Sequence, residues 1–173
     1  DTYLGASHPL YEGIPQYIKN KLIFAHLEAE LVDALSDRFI PQLNSSVFLN
    51  RIVQHGKRLL LHDYFAPHLN PHSHIQYTQS QWEWAIEHES DVWRYFIDNE
   101  LLFSTDKSLR FRFLSASPYS KFYSYLDENS PGRIGQWIGY RMLKKYQKRT
   151  GASLQEVLAA NAQEILKKSR YNP

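Results

Sequence analysis

The chain has 173 residues, 43% hydrophobic and 22% charged, with seven glycines, no cysteine and a formal net charge of +2. That is the size and composition of one ordinary folded domain, which excludes a disordered chain, and no run approaches the ~18 uninterrupted apolar residues of a membrane span. Without a thiol, disulfides, thiolate zinc sites, iron–sulfur ligation and cysteine nucleophiles are all excluded within the chain.

In chain order the pattern is all-α. Residues 1–14 read as an irregular lead-in containing Gly5, Pro9 and Gly13, and Pro15 suits the first residue of a short helix through Tyr17 and Ile18. Leu27, Leu31, Leu35 and Phe39 repeat at helical spacing within a helix predicted over 24–39, which Pro41 stops. Ser45 or Ser46 is the expected N-cap of a long helix to about Tyr64, with Phe48, Ile52, His55, Leu59 and His62 on one strip. Pro67 ends it, and 67–75 reads as a loop rich in Pro, His and Asn. Thr78 with Gln81 forms a capping box for a single helix to about Leu102, whose apolar face is Trp82, Ala85, Ile86, Val92, Trp93, Phe96 and Ile97, with Glu89 inside it.

A short helix over 107–114 and a tyrosine-rich connection to Asn129 come next. Ser130-Pro131 then reads as an N-cap and first helical residue of a helix to about Lys148, closed by Gly151. Ser153 with Glu156 and Asn161 with Glu164 predict two short terminal helices. The charge is unevenly placed: residues 131–173 carry nine Lys/Arg against Glu156 and Glu164, net +7, which leaves −5 for the first 130. Asp1, with no initiating methionine and no targeting segment, is expected to be a cut or processed end.

Four groups of residues are candidates for function. Gly132, Gly135 and Gly139 lie along one strip of their helix; because each helical Gly costs about 1 kcal/mol relative to Ala, close helix packing is the preferred reading over a phosphate site, which wants glycines in a loop ahead of the helix. Lys144, Lys145, Lys148 and Arg149 complement a helix C-terminus, and beyond that they hint at an acidic partner. No recognisable nucleic-acid-binding module accompanies them. His68, His72 and His74 have the spacing of a Zn, Ni or Cu cluster, but the stretch holds no carboxylate, and separate surface imidazoles are the simpler reading. His55 and Glu89 each sit on an apolar helix face. A zinc peptidase would need H-E-x-x-H on the first helix, whereas the residues here are His55-Gly56-Lys57-Arg58-Leu59. A satisfied polar network, Glu89 with His55 or with an arginine, is therefore preferred. There is no G-x-S-x-G elbow and no inward-facing pair of acids, so no catalytic, cofactor-binding or metal-binding residue is assigned.

LGASHPLYEGIPQYI (4–18), HGKRLLLHDYFAP (55–67), IQYTQSQWEWAIEHESDVWRYFIDNELLFSTD (75–106), SPYSKFY (117–123), ENSPGRIGQWIGYRML (128–143) and SLQEVLAANAQEILKKSRYNP (153–173) resemble, in order, the gliding motility-associated lipoprotein GldB family of the Bacteroidetes. The resemblance implies that 1–173 is a single helical domain, the C-terminal part of a longer lipoprotein facing the periplasm and held in the envelope by a lipid anchor outside this chain. It also implies a distant relation to zinc-dependent peptidases, with His55 at the first ligand position and Glu89 at the third. Gly56 and Leu59 depart from that pattern, so the expectation is a degenerate zincin-like scaffold without enzymatic activity. Its partners would be envelope proteins of the gliding or surface machinery, bound through exposed tyrosines and the basic C-terminal face. The alternative is a metallopeptidase relative that retains metal binding.

Overall fold

The computed structural model describes residues 5–173, and over them the chain is all-α, with no strand. The earliest part of the lead-in, Asp1 included, lies outside the described residues. The α-helices are α1 (Gln16–Lys19), α2 (Leu27–Ser36), α3 (Phe48–Phe65), α4 (Pro71–His74), α5 (Gln79–Glu87), α6 (Glu89–Asp98), α7 (Ser108–Phe113), α8 (Ile134–Thr150), α9 (Leu154–Ala159) and α10 (Ala162–Ser169). Short 3₁₀ turns at Pro9–Tyr11, Phe24–His26, Leu101–Phe103 and Tyr125–Asp127 join them.

The two longest helices, α3 and α8, cross at the centre, with α10 against α8 and α2 against α3. Their approach is set by glycine. A Cβ on Gly56 would lie 2.4 Å from the Gly139 carbonyl carbon, and one on Gly139 would lie 2.1 Å from the Ile52 carbonyl oxygen. The strip at Gly135 and Gly139 is thus a packing device, as its spacing predicts, whereas Gly132 lies ahead of α8 and packs against Ser117. Gly135 packs against Leu114 and Phe113.

Around this crossing the core is aromatic. Phe48, Phe96 and Phe113 meet pairwise at ring distances of 5.0–5.9 Å, and Phe122 closes on Phe113 at 5.0 Å. All four are buried. Edge and tilted contacts of this kind add about 0.5–1.5 kcal/mol each beyond the burial of the rings.

Several element boundaries differ from the pattern reading, each for a local reason. The helix predicted from Thr78 to Leu102 is two helices. Thr78 and Gln81 do form the reciprocal capping box, but His88 leaves helical geometry at φ −100°, ψ 12°. Its Nδ1 donates to the Trp84 carbonyl at 3.0 Å and its ring stacks on Trp84 at 4.3 Å. The His88 amide reaches the same carbonyl at 2.9 Å, so ring and backbone share one acceptor where the helix ends. Glu100, at φ 54°, then ends the segment.

Ser45 braces the turn before α3 rather than capping it: its Oγ accepts from the Val47 amide and from Asn50, and the Phe48 amide is met by the Ser104 carbonyl at 2.9 Å. The 130s helix starts at Ile134, not at Pro131. Ser130 is taken up by both backbone groups of Ser120, and Ser120 Oγ, from another loop, accepts from the Ile134 amide. On α2 the buried face is Ala29, Val32 and Ser36, while Leu31, Leu35 and Phe39 of the predicted stripe are exposed. Small residues bring α2 close to α3, and the Ser36 hydroxyl is satisfied by the Val32 carbonyl at 2.7 Å.

The end of the chain follows its signals closely. Gly151 closes α8 at φ 69°, Ser153 and Glu156 form the second capping box, and Asn161 caps α10 through the Glu164 amide.

Candidate functional site

His55 and Glu89 belong to different networks. Glu89 is buried at the start of α6, where its Oε1 accepts from Arg141 Nε at 3.0 Å and from the Tyr171 hydroxyl at 2.6 Å. Of the two partners the sequence offered Glu89, the arginine is the one used. Burial, then the Glu89 charge, pushes the Tyr171 hydroxyl well above its usual range, which keeps it a donor. His55 lies on α3. Burial and then the nearby Arg58 cation pull its imidazole down to about 4, so it is uncharged at neutral pH. Among the described residues no hydrogen bond or ion pair joins it to Glu89.

The two departures from the peptidase pattern are packing positions. Gly56 has no room for any side chain beside Gly139 and Tyr140, and Leu59 is buried in the core. Between them, Lys57 crosses to the end of α9. Its Nζ donates to the Leu158 and Ala160 carbonyls at 2.7 and 2.8 Å, and burial pulls its pKa down to about 8. Those bonds satisfy carbonyls that a helix end leaves unpaired.

The histidines of 68–74 do not converge. His68 pairs with Glu28 at 2.6 Å, His72 donates to the Tyr77 carbonyl, and His74 Nε2 donates to the Ala66 carbonyl at 3.2 Å. Part of this stretch is the helix α4 rather than loop, opened by Pro71 at its first turn. Among the described residues no group of three or more His, Asp or Glu is placed to hold a metal ion.

What brings His74 into play is a network with no sequence signature. Asp63, on α3, faces His74 Nδ1 at 3.4 Å, the Tyr140 hydroxyl at 3.1 Å and Lys144 Nζ at 2.8 Å. Burial works against its charge, but the hydrogen bonds from His74 and Lys144 outweigh it and hold the carboxyl below its usual range. Next to it His62 is fully buried, donating from Nε2 to Asp33 at 3.1 Å, with its ring 5.4 Å from that of His74. These residues come from four helices, α2, α3, α4 and α8, and adjoin only in the fold.

The cations of the C-terminal region form a second feature. Arg141, Lys144, Lys145, Lys148 and Arg149, spaced along the exposed side of α8, line a groove of about 610 Å³ with Tyr171 and Pro173. Its single acid, Glu89, is already engaged. Lys145 Nζ lies over the Tyr171 ring and donates to the Asn172 carbonyl, and Arg149 donates to the Lys168 carbonyl. Lys144 is shared with Asp63. Lys148, in contrast, has no hydrogen bond or ion pair among the described residues. The groove therefore carries more positive charge than its own structure consumes, and it can bind anionic side chains. The tyrosines of the α7–α8 connection are also on the surface: Tyr123 and Tyr125 are 76% and 74% exposed.

The family model described as gliding motility protein GldB covers residues 1–173, the whole chain. No curated protein and no solved structure matches it.

Proposed function

This chain belongs to the GldB family of gliding motility proteins, and from that premise we propose that it is a non-enzymatic, lipid-anchored domain of the cell envelope that works by binding an acidic surface of a partner protein. Membership supports the envelope setting and the association with gliding, since the family is designated a lipoprotein family. No helix among the described residues is long and apolar enough to cross a membrane; the lipoprotein designation is what supports a lipid anchor, and the proposed orientation has the domain facing the periplasm.

The observation that carries the binding reading is the groove of α8, five cations against one carboxylate that is already bonded to Arg141 and Tyr171. Such a surface steers and orients an acidic partner, with a contribution that falls as salt screens it over ~8 Å at physiological ionic strength. The non-enzymatic half is supported by the packing at Gly56 and Leu59. The place where a general-base carboxylate would stand in a zinc peptidase is the closest point of the α3–α8 crossing, and a glutamate there would drive the two helices apart. On this reading the scaffold is a zincin-like one whose catalytic positions have become core.

Two experiments test the halves separately. Lys145→Glu with Lys148→Glu in the full-length protein should abolish its crosslinks to envelope proteins in intact cells while leaving its folded signature by circular dichroism unchanged; intact crosslinks overturn the groove. Lys144 is left alone because it also holds Asp63. Elemental analysis of protein purified without a histidine tag should find no stoichiometric zinc. Zinc at one equivalent, lost on His55→Ala, overturns the non-enzymatic reading in favour of a metal-binding peptidase relative.

A further inference from the structure

At the other end of α8 lies a cavity of about 270 Å³, between the segment around α1 and the turn that precedes α8. A 17-residue helix is about 25 Å long at 1.5 Å per residue, so this cavity is well separated from the groove, which lines the last half of α8. Lys21 and Arg133 both face it. Burial works against both charges, and the Arg133 cation further disfavours that of Lys21. Like charges brought together in a partly buried space are costly unless something negative joins them.

The protein's own carboxylates do not join them. Glu30 and Asp33 attract Lys21 and Arg133 from a distance, but Glu30 accepts from Gln76 Nε2 at 2.6 Å and Asp33 accepts from His62. Neither lines the cavity. Lys21 Nζ has no hydrogen bond or ion pair among the described residues, and of the five N–H groups a guanidinium carries, Arg133 places one, on the Ile75 carbonyl. Two cations with unfilled donors thus line one space.

The rest of the lining says what else the occupant carries. Tyr17, Ile23, Tyr77 and Pro118 supply apolar wall, and the volume is several times the ~30 Å³ share of a water molecule, so a bare inorganic anion leaves it part empty. Two wall residues, Gln76 and Arg133, hold left-handed backbone at φ 54° and 64°, a conformation that residues with a Cβ rarely adopt.

We propose that this cavity is a binding site for a small carboxylate with an apolar body, a free acid or the C-terminal residue of a peptide, whose carboxylate bridges Lys21 and Arg133. A guanidinium fork and an ammonium are suited to the two oxygens of one carboxylate, and the tyrosine, isoleucine and proline walls take the body.

N-acetylphenylalanine is the probe, with N-acetylphenylalaninamide and inorganic phosphate as comparisons, measured by isothermal titration calorimetry. Saturable binding of the acid is expected, weakened about tenfold or more by Lys21→Met, as the loss of one charged hydrogen bond requires, and retained by Lys21→Arg. Burial and Arg133 pull Lys21 down to about 8, so at pH 8.5 binding of the acid should take up protons, seen as a dependence of the heat on buffer ionisation, and the Met variant should not. Equal affinity for the amide overturns the carboxylate, and phosphate binding as tightly as the acid overturns the apolar body. Affinity unchanged in Lys21→Met, lost in Lys21→Arg, or undetectable in the native protein overturns the site. A C-terminal phenylalanine dipeptide that binds as well as the acid assigns the natural source to peptides, and one that fails assigns it to free acids.

Discussion

Replacing Gly56 or Gly139 by alanine tests the geometry on which both the fold and the non-enzymatic reading rest. A methyl at 56 would sit 2.4 Å from the Gly139 carbonyl carbon and 2.7 Å from its oxygen; a methyl at 139 would sit 2.1 Å from the Ile52 oxygen. These contacts are to backbone, which no rotamer change relieves, so α3 and α8 must separate by about 1 Å to restore ordinary carbon contacts of ~3.5 Å. Overpacking of this sort costs about 1–3 kcal/mol and occasionally more, while the alanine returns about 1 kcal/mol in helix propensity. The crossing also brings Ile52 and Ile138 together with other core side chains, and parting the helices loosens them as well. The expected net loss is about 1–3 kcal/mol for each single variant. Because one separation relieves both clashes, the double variant should cost clearly less than the sum. Urea unfolding followed by tryptophan fluorescence measures all three, with Gly151→Ala as a control whose cost comes from φ 69° alone, its Cβ meeting nothing. Stabilisation by either alanine, or strict additivity in the double variant, refutes the close crossing.

Three further outcomes are expected. Burial and Arg58 hold His55 at about 4 in the folded chain against about 6.5 unfolded, so the unfolded chain binds the extra proton and stability should fall by about 1–3 kcal/mol as pH drops through that window; His55→Gln should flatten the profile there, and parallel profiles count against the burial of this imidazole. Lys57→Met strips two carbonyls at the end of α9 of their donors and should destabilise by about 1–3 kcal/mol in urea, whereas a more stable variant shows that the ammonium was a net burden. Tyr171→Phe removes the shortest bond to Glu89 and should lower stability by about 1–2 kcal/mol; in Glu89→Gln the same change should cost less, and equal costs mean that the two groups do not interact.

The helices with strong end signals were readable from the residues alone: the Thr78 and Ser153 capping boxes and the Gly151 stop stand where the pattern places them. Less readable were ends controlled from elsewhere. Nothing near Ile134 announces that Ser120 supplies its cap, and nothing in the spacing of Leu27, Leu31 and Leu35 tells that Ala29 and Ser36 bring α2 close to α3. The same division runs through the site. The cations of α8 are neighbours on one helix face and could be seen as a group, and the glycine strip announced close packing. Asp63, His74, Tyr140 and Asp33 adjoin only after four helices assemble, and Lys21 and Arg133 are more than a hundred residues apart. Glu89 shows both sides: its place on an inward face was legible, but the choice of Arg141 and Tyr171 over His55 was a matter of tertiary geometry.

The central claim, a binding domain working through its basic groove, is tested most directly by site-specific photocrosslinking in intact cells carrying the full-length protein. A photoreactive residue at Lys148 should capture an envelope protein, and the same residue at the exposed Glu83 on α5 should not. The Lys148 adduct should disappear when Lys145 and Arg149 are reversed to glutamate. Equal capture at both positions, or an adduct at Lys148 indifferent to the charge of the groove, contradicts the account.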